Sequence, residues 1–286
     1  SPELFSLHTE FFEIIYPARS AQAATIIASV ADASYRKIAA LLRTEPRGVV
    51  PVVVTPDHES VNGYYTAWPY PRIVVYDSAP DPDGTIGSYR IPLVQLFEHE
   101  LTHYVSLTIR SWPENLAAAV LGSPFGLSYY LTPMPFTEGV TVSLESIDGY
   151  GRAHDPLIGD AIRQDILEGR FKTFDQVAGG WDLYPWGNLY YWYGGWFSRY
   201  LQERYGMDAY AALWREFGAL SVLSPLDDVA FIRGRFSKVF ATKLDDAWSD
   251  FGRWMTPRVP IRIDPETLTA PGQYAALASS GHFLYW

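Results

Sequence analysis

The stretch Phe97-Glu98-His99-Glu100-Leu101-Thr102-His103-Tyr104-Val105-Ser106 decides the fold. Residues four apart on a helix lie one above the other, so His99 and His103 can both reach one metal ion. Glu100 sits about one residue step round from that face, beside the ion rather than on it. A carboxylate there can take a proton from a water instead of acting as a ligand. The helix has its own support: Leu93, Val94, Leu96, Phe97, Leu101, Tyr104 and Val105 make a broad apolar stripe, and Pro92 suits a first turn. Two histidines four apart also occur by chance, so the rest of the chain carries the decision.

Upstream, residues 11–16 read as a strand ended by Pro17, and residues 20–43 show helical spacing from Ala24 and Ile27 to Leu41 and Leu42. Val49 to Val54 is a short apolar run of the kind buried strands show. Tyr64-Tyr65-Thr66 and Arg72 to Tyr76 are two further strands, and Pro69 and Pro71 between them suggest an edge position. The order strand, helix, three strands, motif helix predicts a small mixed sheet with helices packed on it. An edge strand over residues 63–76 beside the motif helix could pair with an extended peptide, or be an ordinary hairpin.

Downstream, residues 107–133 form an awkward connection in which Leu116 to Leu121 could make a turn or two of helix. Pro133-Met134-Pro135 then leads into a helix that carries a carboxylate, Glu138, in its first turns. Helices are expected at about 157–168, 173–178, 188–205, 207–219, 226–240 and 243–255. Beyond Pro257 the pattern turns to short strand-like runs, Val259 to Ile263 and His282 to Trp286. The expected fold class is α+β: residues 1–110 an α/β half with the motif helix, 111–256 a helical half, and 257–286 a strand-like tail. Opening on Ser1-Pro2 without an initiator Met suggests a trimmed start, and the apolar run at the end suggests that more of the protein follows.

Composition narrows the function. A chain of 286 residues with 48% hydrophobic and 19% charged residues can bury a sizeable core. Its aromatic content, 16% with 10 Trp and 20 Tyr, suits a cleft, but most of it is expected in the core. A net charge of -10 argues against nucleic acid and anionic membrane surfaces as partners. No apolar run reaches membrane-spanning length. The absence of cysteine excludes disulfides and Cys-type zinc sites.

A catalytic zinc takes three protein ligands and keeps one position open. His8, His58, His154 and His282 lack a helical context with an acidic neighbour at useful spacing, which makes Glu138 the better third candidate. With these residues in hand, His99-Glu-Leu-Thr-His103 followed by Phe136-Thr-Glu138-Gly-Val resembles the gluzincin metallopeptidases. The resemblance implies a thermolysin-like fold, one Zn²⁺ per chain held by His99, His103 and Glu138, and Glu100 as general base. The gap between the two motifs is longer than in thermolysin-like members. Tyr191-Trp-Tyr193-Gly194 resembles the Tyr-x-x-Gly helix of the gluzincin aminopeptidases, which implies Tyr191 as donor to the oxyanion, with Tyr193 the runner-up. The alternative for both is packing in an aromatic-rich helix. The aminopeptidases' Gly-x-Met-Glu-Asn strand, whose Glu holds a substrate amine, has no counterpart before His99. Endopeptidase action is therefore the expectation.

The order of elements over residues 8–256 further resembles bacterial peptidase MA-like domains, which are exported and often precede a TolB-like β-propeller. That likeness implies a periplasmic or extracellular location, a peptide or protein substrate, and a propeller beginning near Gly281-His-Phe-Leu-Tyr-Trp286. A catalytically idle domain of the same fold, serving as a protein-binding or scaffolding module, is the alternative function. Around the metal, Glu145 or Asp148 could orient a histidine N–H. Arg152, Arg163 and Asp182 could line the cleft, and Glu98 is expected to face solvent.

Overall fold

A computed structural model describes residues 3–59, 62–78, 91–110, 115–116, 130–185, 187–219 and 228–256, together with 278–280 and 283–285. Its first part is a five-stranded mixed sheet. The strands are β1 (Leu4–His8), β2 (Phe12–Pro17), β3 (Val50–Thr55), β4 (Asn62–Thr66) and β5 (Arg72–Tyr76), in spatial order β1-β2-β3-β5-β4. Inner pairs β2/β3 and β3/β5 are parallel, and outer pairs β1/β2 and β4/β5 are antiparallel. Strand alternation sets the faces: Val50, Val52 and Val54 of β3 are buried with Phe12 and Ile14 of β2, while their neighbours are half-buried.

The helix α1 (Ala21–Leu41) crosses between β2 and β3. Its Asp32 accepts hydrogen bonds from the Thr9 hydroxyl (2.8 Å) and from the N–H groups of Glu10 and Phe11 (3.1 Å each), which pins the β1–β2 turn. Burial resists its charge, but those donors and Arg36 hold the Asp32 carboxyl below its ordinary value. The strand β1 was not foreseen. Four of its five residues are exposed, so neither face leaves a hydrophobic period to read. The proline pair between β4 and β5 does mark an edge, but only for β4; β5 lies inside the sheet.

The motif helix α2 (Pro92–Leu107) starts at the expected proline and packs against β4, β5 and α1. Tyr35 of α1, Tyr104 of α2 and Tyr65 of β4 meet edge to face in a continuous run, with centroids 5.9 and 5.8 Å apart. Glu98 differs from expectation. It is half-buried and accepts from the Ser34 hydroxyl at 2.7 Å, so it ties α2 to α1 rather than facing water.

The second part is helical: α3 (Met134–Glu145), α4 (Pro156–Leu167), α5 (Phe174–Gly179), α6 (Leu189–Tyr205), α7 (Met207–Phe217), α8 (Asp228–Phe240) and α9 (Leu244–Met255). Local signals start two of them, an Asp155 side chain capping Leu157 N–H (2.7 Å) and a reciprocal Thr173/Gln176 capping box. Helices α3 and α6 touch backbone to backbone. A Cβ added to Gly139 would stand 2.5 Å from the Gly194 carbonyl oxygen, and one on Gly194 would stand 2.4 Å from that of Pro135. A Cβ on Gly195 would stand 2.3 Å from Cγ1 of the Val142 side chain. Only glycine permits this approach.

One contiguous core joins the two parts, from Phe12 and Val52 through Phe97 and Phe136 to Phe197, Phe236 and Trp248. Most of the aromatic load is therefore packing, as composition alone suggested. Segments 278–280 and 283–285 pair as a separate antiparallel ladder. The Val259–Ile263 run, His282 and Trp286, and nearly all of the Leu116–Leu121 segment lie outside the described residues.

Candidate metal centre

Helix α2 presents His99 and His103 on one face, and α3 brings Glu138 opposite them. All three side chains are buried, at 7–8% exposure. Among the described residues they are the one group of three His, Cys, Asp or Glu whose ligand atoms converge, all within 4.8 Å of one another. Glu138 Oε2 lies 3.4 Å from His99 Nε2 and 3.2 Å from His103 Nε2. Tetrahedral coordination with bonds of about 2.0–2.1 Å sets neighbouring ligand atoms roughly 3.3 Å apart, so these separations match its edges. They are not well-formed hydrogen bonds: Glu138 Oε2 is buried without a hydrogen-bond partner. A buried carboxylate oxygen facing two imidazole nitrogens, with no donor of its own, is the arrangement a divalent cation satisfies. The residues fit zinc.

The charge balance agrees. Burial resists ionisation of Glu138, but the His103 and His99 imidazoles override it and hold the carboxyl well below the usual carboxylate range. Burial likewise resists protonation of His99, but Glu138 and Glu145 outweigh it and lift the imidazole to about 9. Both shifts say that the carboxylates favour positive charge at the cluster.

Glu145 lies behind His99, its Oε2 3.2 Å from Nδ1. It is gripped by Arg152, whose Nε donates to Oε1 (2.7 Å) and Nη2 to Oε2 (2.9 Å). Asp148 plays no such part; it is exposed and paired with Lys37 at 2.8 Å. Of the three groups suggested for the cleft, Arg152 lines it, Arg163 is buried against Asp160, and Asp182 is exposed. The pairing of Arg152 with Glu145 was not foreseen. The short helical turn Arg152–His154, entered through Gly151 at φ 117°, places the arginine, and the sequence carries no periodic signal for it.

A cavity of about 620 Å³ opens over the cluster, lined by its three members, Glu100, Arg152, Tyr191 and residues 62–65 of β4. Glu100 is 5% exposed. Burial raises its carboxyl above the usual range, against the pull of His99 and His103, and the Tyr65 backbone N–H bonds to it. Gly63 lets β4 come this close: a Cβ there would lie 3.3 Å from Glu100 Cγ and 2.8 Å from the Val74 carbonyl oxygen. Tyr191 stands with its ring centroid 6.3 Å from that of His99 and 5.2 Å from the Arg152 guanidinium. Burial pushes its phenol up, so it stays a proton donor. Tyr193 is turned elsewhere and donates to Asp165 at 2.6 Å. Glu59 is exposed and His8, His58 and His154 do not line the cavity.

No protein-family model matches the chain. An uncharacterized protein of Treponema pallidum (strain Nichols) is 32% identical over 286 residues, covering 98% of this chain and 24% of its own length. The chain thus spans about a quarter of that relative. Among solved structures, a mutant M1 zinc metallopeptidase from Deinococcus radiodurans overlaps 93% of this chain and 55% of its own, with 12% identity and a TM-score of 0.49. The M1 zinc metallopeptidase from the same organism overlaps 94% and 55%, with 13% identity and a TM-score of 0.41. Likeness at this level leaves the functional reading to the site itself.

Proposed function

We propose that the chain is a zinc-dependent metallopeptidase of gluzincin type that cleaves peptide bonds within a chain. The observation that carries this reading is the convergence of His99 Nε2, His103 Nε2 and Glu138 Oε2 at tetrahedral spacing, with Glu100 beside them in the same cavity. Zinc held there would supply Lewis acidity towards a water and a scissile carbonyl.

The chain's own residues do the rest. Glu100, buried and raised, takes the proton of the attacking water and passes it to the leaving amine. Tyr191 donates its O–H to the oxygen on which negative charge develops. Glu145, locked by Arg152, keeps His99 in the ligating tautomer. The edge strand β4 borders the cavity and offers its backbone to an extended peptide. Among the described lining residues the carboxylates are Glu100 and Glu138, both already engaged, which leaves none to hold a free amine and favours internal cleavage. We further propose an exported location and a two-part catalytic unit divided near residue 110, with a following propeller.

Metal analysis and peptidase assay of the purified protein test the reading. About one zinc per chain is expected, with much less in Glu138→Ala. Glu100→Gln is expected to keep its zinc and lose turnover by roughly 10²–10⁴-fold. Unchanged turnover in Glu100→Gln would refute the assignment. Zinc without turnover in the wild type would favour a binding module.

A further inference from the structure

We propose that the protein carries a second ligand site, an arginine-lined pocket that binds a phosphorylated small molecule. The pocket is a cavity of about 450 Å³ on a different face of α2 from the metal cluster. Arg43, Arg47, Arg110 and Arg215 line it, and Glu45 is the one carboxylate among its described lining residues. In a chain of net charge -10 such a gathering is not expected from composition.

Helix ends explain part of it. Helices α1 and α2 both finish here, at Leu41 and Leu107, and each C-terminus carries about half a negative charge. Arg43 answers that charge, donating to the Ala40 carbonyl (2.6 Å) and pairing with Asp208 (2.6 Å). Arg47 and Arg215 do not. Both are exposed, and neither side chain has an ion pair or a hydrogen bond to a helix carbonyl among the described residues. Both residues line the cavity with guanidinium groups unpaired among the described residues, and a guanidinium fork matches paired oxygens of a phosphoryl group.

The remaining lining supplies the other half of a ligand site. Thr44, Tyr104 and Asn115 are further residues with polar side chains in its lining, the Asn115 amide donating to the Arg110 carbonyl at 3.3 Å. Tyr35, Tyr104, Pro71 and Ile109 give an apolar side. The volume falls within the range of roughly 300–1,000 Å³ typical of small-molecule pockets and exceeds what inorganic phosphate fills. The charge and shape together point to a phosphate ester with a flat or apolar body.

Calorimetric titration with inorganic phosphate at constant ionic strength tests the charged half of this site. The zinc-loaded protein is expected to bind one phosphate per chain with a Kd on the order of millimolar. The variant Arg47→Ala/Arg215→Ala, altered only at exposed positions, should weaken binding by at least ~10-fold while its zinc content stays unchanged. A control pair elsewhere on the surface, Arg19→Ala/Arg170→Ala, should bind as the wild type does. Absence of saturable binding, or equal weakening in the control pair, would overturn the site. Because the readout is phosphate affinity, the outcome does not depend on whether the metal centre is catalytic.

Discussion

His99 Nδ1 has two neighbours that ask for opposite protonation states. Glu145 Oε2, at 3.2 Å, can only accept, whereas Arg152 Nη2, at 2.9 Å, can only donate. Ligation through Nε2 leaves the proton on Nδ1, so it selects the Glu145 contact and leaves Arg152 to the carboxylate. Burial resists ionisation of Glu145, yet Arg152 holds its carboxyl at about 2, below the ordinary 4.5. A depressed carboxylate contributes stability that is fully present above 4.5 and is lost as pH falls through about 2. Urea unfolding of wild type and Glu145→Gln should therefore differ at pH 6, by several kcal/mol if Arg152 is left buried and unpaired, and the gap should narrow at pH 3. A gap that does not change with pH would mean the pair contributes nothing through charge. The two tyrosines separate in the same fashion. Tyr191→Phe should lower turnover by roughly 10²-fold with zinc retained. Tyr193→Phe should instead cost about 1 kcal/mol of stability through its lost bond to Asp165, with turnover of the folded protein intact. The sequence put Tyr191 first and Tyr193 second on motif register alone. Each fits an aromatic helix, and the fact that separates them is a carboxylate on another element.

At the scale of elements, the helices were legible almost to the residue. Residues 157–168 were expected where Pro156–Leu167 is found, and 188–205 where Leu189–Tyr205 is found. Asp155 caps the first and Gly206, at φ 88°, ends the second, so local signals agree with the apolar periodicity. What could not be read is which faces meet. Gly139 and Gly194 each belong to a local motif, yet their mutual contact, which sets Glu138 against the Tyr191 helix, is a property of the α3–α6 pair. Gly139→Ala should strain that contact by roughly 1–3 kcal/mol or more, because the obstructing atoms include backbone. It should also lower zinc affinity by displacing Glu138. Thermal unfolding with metal analysis checks both effects. A variant that loses stability while binding zinc normally would show that α3 shifts without moving its ligand.

Across the whole molecule, the α+β class and the grouping of His99, His103 and Glu138 were visible in advance, while the strand β1, the half-buried role of Glu98 and the Arg152 clamp were not. The first group rests on period and spacing; the second on contacts between distant segments. The single core predicts how the protein responds to chelation. Elements α2 and α3 are held by packing against β5, α1 and α6, not by the cluster alone. Stripping zinc should lower the melting temperature but leave far-UV circular dichroism and cooperative unfolding in place. Collapse of the helical signal on chelation would show that the metal organises the fold.

The edge-to-face run of Tyr35, Tyr104 and Tyr65 gives the molecule one more property. At one end the Tyr65 backbone touches Glu100; at the other the Tyr35 hydroxyl accepts the Arg47 N–H at 3.0 Å. Thermodynamic reciprocity then applies. Whatever factor a ligand beside Arg47 imposes on zinc affinity, zinc must impose on that ligand. Zinc titrations with and without phosphate, and phosphate titrations with and without zinc, measure one coupling free energy from its two ends. A factor of one would mean that the tyrosines carry packing between the two cavities and no information.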